Sequence, residues 1–185
     1  KAMLHNILRL REIRVEDVMI PRADVVAVEI STPLWEVLEL FESSGHSRMP
    51  VYAETLDDPR GMIHIRDVLN YITKQARQKT TRRTTARKTA ETSAAKFDMG
   101  RIDLTKTIGE LNLMRKVLFV PPSMMASGLM ARMQATHIQM ALVIDEYGGT
   151  DGLASLEDIV EMVVGDIEDE HDDEEIMIAE EADGV

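Results

Sequence analysis

Apolar positions in this chain come in short blocks whose spacing changes from one block to the next. Leu34, Val37, Leu38 and Phe41 recur every three or four residues. That period predicts a helix opening at Ser31-Thr32-Pro33, with a hydroxyl cap and a proline in the first turn, and stopping at Gly45. Val25–Ile30 and Met49–Ala53 read as strands, Leu56–Arg60 as a turn around Asp-Asp-Pro, Gly61–Ile65 as another strand and Arg66–Thr73 as a helix. One unit is thus strand, helix, strand, strand, helix. A second follows it, with a strand at Val117–Val120 and a methionine-rich helix at Ser123–Ala135. Ile138–Ile144 reads as a strand with a long apolar run, as burial on both faces requires. Asp145–Gly149 is a turn, Leu153 lies in the last strand, and Ser155–Val164 closes the unit as a helix. Ahead of both, residues 2–12 carry an apolar stripe suited to a short helix.

The two units also share words. GMIHIRDVL at 61–69 returns as GLASLEDIV at 152–160, an offset of 91 residues. His46 and Met49 match His137 and Met140 at the same offset. Upstream the offset is 92, pairing Val28 with Val120, Ser31 with Ser123 and Phe41 with Met133. The change of offset places one lost residue between helix and strand. Two copies of a unit this long predict pseudo-symmetric halves of one module rather than a solenoid.

Composition narrows the classes. At 185 residues the chain fits one domain or two small ones. It has no cysteine, which excludes disulfides and thiolate metal sites. No apolar run reaches the length of a membrane span, and no signal peptide is expected in these residues. A start at Lys1 fits a fragment of something longer. The net charge of −12 is unevenly spread, with nine Lys or Arg against two acids over residues 74–101 and fourteen acids with no Lys or Arg from Glu157 to Asp183. The basic stretch has almost no large apolar residues and reads as an inter-repeat insert. The division expected is a linker helix over 1–14, repeat 1 over 15–75, the basic insert over 76–103, repeat 2 over 104–166 and an acidic tail over 167–185. So acidic a chain is a poor general ligand for nucleic acid, whose phosphates dominate affinity.

The repeated phrase has two readings. A glycine allows close backbone approach, Ser155 sits where strand becomes helix, and Asp158 one turn on can accept from both hydroxyls of a ribose. Ser155-x-x-Asp158 is equally a helix-capping pattern that needs no ligand. In the first copy His64 replaces the hydroxyl and Arg66 replaces Glu157, which predicts one working site and a degenerate one around Asp67. The five histidines show no metal-ligand spacing, and Met124, Met125, Met130 and Met133 read as helix core or dimer contact. There is neither a P-loop nor a Ser/His/Asp signature, so no enzyme is expected.

VMIPR, GHSRMPVY and GMIHIRD resemble a CBS repeat, as do HIQMALVIDEYGG and GLASLEDIVEMVVGDIEDEHDDE. Paired, they resemble a Bateman module. The MIPR start, the VIDEYGGT turn and the GDIEDEHD close are similar to the CBS pair of the hemolysin C/CorC family, linked to magnesium and cobalt efflux. The likeness covers about residues 14–175 apart from the basic insert. It implies an α/β (α+β) fold of tandem CBS repeats packed with pseudo-two-fold symmetry. It also implies a cytoplasmic regulatory module, in some members the cytosolic part of an inner-membrane protein. Such a module forms a homodimer and binds adenine nucleotide, ATP or AMP, with Mg2+. A membrane transport domain or CorC-type C-terminal domain would lie outside the fragment.

The resemblance also nominates a nucleotide site. Ile20, Pro21, Arg22 and Val25, with Ser47, Met49 and Pro50, would face the closing helix that carries Ser155, Glu157 and Asp158. Plain core is the alternative for Val25 and Met49, and an edge-strand proline for Pro50. Arg22 would reach phosphates. Glu157 and Asp158 beside a polyphosphate repel it by about 4 kcal/mol at close range. A magnesium ion held by the phosphates near Glu157 reverses that sign. The rival expectation is a structural homodimerisation module whose clefts stay empty.

Overall fold

The computed structural model describes residues 12–77, 100 and 102–162. Nearly all of the expected helix over residues 2–12, most of the basic insert, the acidic tail, His5 and His171 lie outside the described residues. In chain order the elements are α1 (Val15–Val18), β1 (Ile20–Pro21), a 3-10 turn (Arg22–Asp24), β2 (Val28–Glu29), α2 (Leu34–Ser44), β3 (Arg48–Ala53), β4 (Thr55–His64) and α3 (Ile65–Arg77). They continue with α4 (Ile108–Leu111), β5 (Leu118–Val120), α5 (Ala126–Thr136), β6 (Met140–Ile144) and β7 (Thr150–Ser155). Residues 156–162 are helical and are called α6. The strand-helix-strand-strand-helix order of both repeats is present, on mixed sheets.

The chain divides into two compact units, residues 1–25 with 116–185 and residues 26–115. The first unit holds a four-stranded sheet in the order β1-β7-β6-β5. β6 is central, parallel to β5 and antiparallel to β7. Four of its five residues are buried, which explains its continuous apolar run. Leu129 and Met133 of α5 pack with Val143, Ala154 and Ile159 into one cluster. Met133 is therefore core, whereas Met125 is largely exposed. β1 reaches this sheet from the start of the chain, with Ile20 opposite Leu153 and Pro21 opposite Gly152.

The second unit has a three-stranded sheet in the order β2-β3-β4. Leu34, Val37 and Phe41 of α2 form its core with Met49, Val51 and Ile63. Ile108 of α4 joins them, on a helix opened by a reciprocal cap between Thr107 and Glu110. That Thr-x-x-Glu pattern is a capping signal visible in the sequence.

Several expectations change. α2 begins at Leu34 with Pro33 as its cap residue and no side-chain cap. Its first amides are satisfied by backbone instead, Leu34 N–H donating to the Lys106 carbonyl at 2.9 Å and Trp35 N–H to that of Leu104 at 3.1 Å. α5 likewise starts three residues later than expected, with the Ala126 amide donating to the Ile13 carbonyl at 2.9 Å. β2 is shortened because Val25 N–H closes the 3-10 turn on the Arg22 carbonyl. Residues 56–60 are strand rather than turn, and the reversal sits at Glu54, φ +59°.

The lost residue also moves. β2 and β5 align Val28 with Val120, and their neighbours Val51 and Val143 keep the offset of 92. Across the next ladder Val51 faces Gly61 while Val143 faces Gly152, an offset of 91 for the glycines. The deletion therefore falls in the turn after β3 and β6. Gly45 and His137 are the equivalent left-handed helix ends, at φ +69° and +57°, so the matches of His46 with His137 and Met49 with Met140 are coincidences of type.

Candidate functional site

The repeated phrase ends a strand and starts a helix in each unit, as its sequence demands. In the first unit β7 delivers Ser155 to the start of α6, and the Leu156 amide donates to the Gln139 carbonyl. The Ser155 amide and hydroxyl both donate to Asp158 Oδ2, at 2.9 and 2.6 Å. The Asp158 amide returns a bond to Ser155 Oγ at 3.2 Å. This is the reciprocal cap that the sequence allowed. It engages one carboxylate oxygen only, and Oδ1 of the half-buried Asp158 has no partner among the described residues. Glu157 is exposed on the first turn.

β1 runs beside this phrase. A Cβ on Gly152 would collide with the Ile20 carbonyl oxygen and lie 3.0 Å from Met19 Sδ. Glycine here lets two backbones approach closely. Past Pro21 the chain enters the 3-10 turn, and Arg22 Nη1 donates to the Thr150 carbonyl at 2.8 Å on the far part of β7. Ile20, Pro21, Arg22, Val25, Ser155, Glu157 and Asp158 thus belong to one unit. The exposed Arg22 is held by that bond at the opposite end of β7 from Ser155 and the start of α6.

Ser47, Met49 and Pro50 belong to the other unit. The exposed Ser47 accepts the Ile65 amide at 3.0 Å through its carbonyl, and Met49 is fully buried. Pro50 is not on an edge strand, since β3 is central. It is tolerated because β2 pairs only with Val51 and Tyr52, and because Pro50 faces Met62, whose amide and carbonyl both turn away to Arg115.

The first copy of the phrase is held differently. His64 Nδ1 accepts the Arg66 amide at 3.0 Å. Burial, with Arg48 and Arg115 nearby, lowers the His64 pKa, so the ring is neutral at pH 7. Asp67 receives no bond from this cap. Arg115 grips it in fork geometry, Nε to Oδ2 at 2.5 Å and Nη2 to Oδ1 at 2.7 Å. The hydrogen-bonded guanidinium holds the Asp67 carboxyl below the usual range, and the carboxylate raises the Arg115 pKa in return. No group of three or more His, Asp or Glu suited to a metal ion occurs among the described residues.

Duplicated strand-helix units, a glycine against a crossing strand, and a capped acidic helix start define a pair of CBS domains. The CBS domain family matches residues 15–74 and 108–165. A Rickettsia rickettsii hemolysin C homolog is 34% identical over 93% of this chain and 48% of its own length. A Pasteurella multocida magnesium and cobalt efflux protein CorC is 30% identical over 96% of this chain and 49% of its own length. A solved structure of the CBS domain of a bacterial CNNM/CorC family Mg2+ transporter in complex with ATP is 31% identical. It superposes with a TM-score of 0.65 over 88% of this chain and 95% of that one. The chain belongs to the CorC/hemolysin-C family of CBS-domain proteins. CBS domains of this family are regulatory, non-catalytic modules. It spans about half the length of the curated relatives it matches. Among the described residues no helix is long and apolar enough to cross a membrane.

Proposed function

We propose that this module binds Mg-ATP and conveys its occupancy to a magnesium and cobalt efflux protein of CorC type. The observation that carries the reading is the open Oδ1 of Asp158, beside a Ser155 already oriented by the cap. That oxygen can accept from a ribose hydroxyl, a charge-assisted bond contributing about 1.5–3 kcal/mol. Ile20, Pro21 and Val25 would form an apolar edge, and Arg22 would face phosphate. Glu157 and Asp158 make a bare polyphosphate unwelcome, so magnesium carried on the phosphates, near Glu157, would raise affinity. The ATP complex of a CorC-family relative supports this class of ligand. The module would act in the cytoplasm as a homodimer, joined to a transport domain or CorC-type domain. A ligand there can shift the module only through unequal affinity for two arrangements.

A second reading is favoured by one observation. The Ser155–Asp158 cap is complete without any ligand, as a purely structural dimerisation module would need. Calorimetric titration with ATP, with and without magnesium, separates the two. Magnesium-dependent binding weakened at least tenfold by Asp158→Ala supports the sensor. No binding of ATP, ADP or AMP in either condition leaves the scaffold.

A further inference from the structure

Arg115 occupies in the second unit the place that Ile20 occupies in the first. Ile20 lies opposite Leu153, and its carbonyl crowds Gly152. Arg115 lies opposite Met62, the residue matching Leu153, and its carbonyl stands 2.6 Å from a Cβ built on Gly61, the residue matching Gly152. Main-chain bonds fix this position, Met62 N–H to the Arg115 carbonyl at 2.9 Å and Arg115 N–H to the Met62 carbonyl at 2.8 Å. At the equivalent place an aliphatic side chain leaves Asp158 an open oxygen, and a guanidinium takes both oxygens of Asp67.

We infer that Arg115 is a built-in occupant of the first phrase: its guanidinium fills the carboxylate that a ribose would need, and so decides which of two duplicated sites accepts nucleotide. The inference rests on the nucleotide reading of Asp158. A ribose hydroxyl is a neutral donor and must displace a bidentate ionic contact whose cation is held by its own backbone. His64 adds to the exclusion, because its acceptor nitrogen is already committed to the Arg66 amide. The chain would therefore bind one nucleotide, although it carries the phrase twice.

The test is binding stoichiometry per chain, titrating ATP with magnesium into the wild type, Asp158→Ala, and the double variant Arg115→Ala with His64→Ser. The expected results are one site in the wild type, none in Asp158→Ala and two in the double variant, the added site vanishing with Asp67→Ala. A double variant that folds and still binds once overturns the inference while leaving the Asp158 reading intact. A silent wild type with a double variant that binds through Asp67 does the reverse. If the double variant fails to fold, the wild type and Asp67→Ala still decide the matter: a single wild-type site kept in Asp67→Ala is the result expected, and a second wild-type site lost on Asp67→Ala shows that Arg115 does not close it.

Discussion

Two copies of one phrase, 91 residues apart, end in the same geometry and opposite chemistry. Asp158 is tied to its own helix through Ser155 and keeps one oxygen open. Asp67 is tied to Arg115, 48 residues away, and keeps neither. Both aspartates stand at the same step after a glycine, and within the phrase the difference lies in His64, which stands where Ser155 does. It lies also in the segment that crosses each phrase, which presents Ile20 of β1 in one unit and Arg115, at a single isolated bridge, in the other. A duplicated site can thus be retired by a residue outside the duplicated motif.

The glycines test what the copies share. Gly61→Ala adds a Cβ 2.6 Å from a backbone oxygen and strains φ of +152°, so it is expected to lose about 2–4 kcal/mol in urea unfolding. Gly152→Ala meets a still closer carbonyl, that of Ile20, but without that backbone conformation, and is expected to lose about 1–3 kcal/mol. A neutral Gly152→Ala would show that β1 does not lie against β7.

The aspartates test what separates them. Asp158→Ala is expected to weaken ATP about tenfold to a hundredfold, equivalent to about 1.4–2.8 kcal/mol, while Asp67→Ala leaves the affinity unchanged in the same calorimetric titration. Equal losses at both positions would erase the distinction.

Asp67→Asn is expected to lower stability by no more than about 1 kcal/mol, because Arg115 is half exposed and the pair is screened. The loss depends on pH with a definite sign. The folded pKa of Asp67 lies below its unfolded value of 3.8, so the pair contributes fully above that value. The contribution disappears as pH falls through the folded pKa, and wild-type and Asp67→Asn stability curves should converge only in that acid range. The smallest effect is on His64, whose ring is expected to titrate below 6.5 by NMR. Removing Arg115 should move that midpoint upward, since one of its nearby cations is gone and Asp67 is left to favour the charged ring.

Much of this was legible in the sequence. The duplication, the Gly45 stop, the buried run of β6 and the Asp145–Gly149 turn each rest on residue types that the local geometry requires. The helix starts were harder to read, because Pro33 and Met125 are followed by amides satisfied by distant carbonyls, and a carbonyl leaves no mark on composition. The pairings of Ile20 with Leu153 and of Met62 with Arg115 are equally silent, being made by main chain between segments far apart. Of the candidate site, the Ser155–Asp158 contact followed from its spacing. A degenerate site around Asp67 was expected from His64, but the contact of Asp67 with Arg115 was not. No short-range pattern joins Asp67 to Arg115.

The crossing of β1 onto β7 has a consequence for how the chain is made. The ribosome releases Val15 and Ile20 early, yet their neighbours Leu153 and Ala154 come more than a hundred residues later. The unit spanning residues 26–115 is complete once Arg115 has emerged. At roughly 5–20 residues per second, the opening strand waits on the order of ten seconds for its partner. Synthesis therefore completes the unit of residues 26–115 first and joins the two segments of the other unit later.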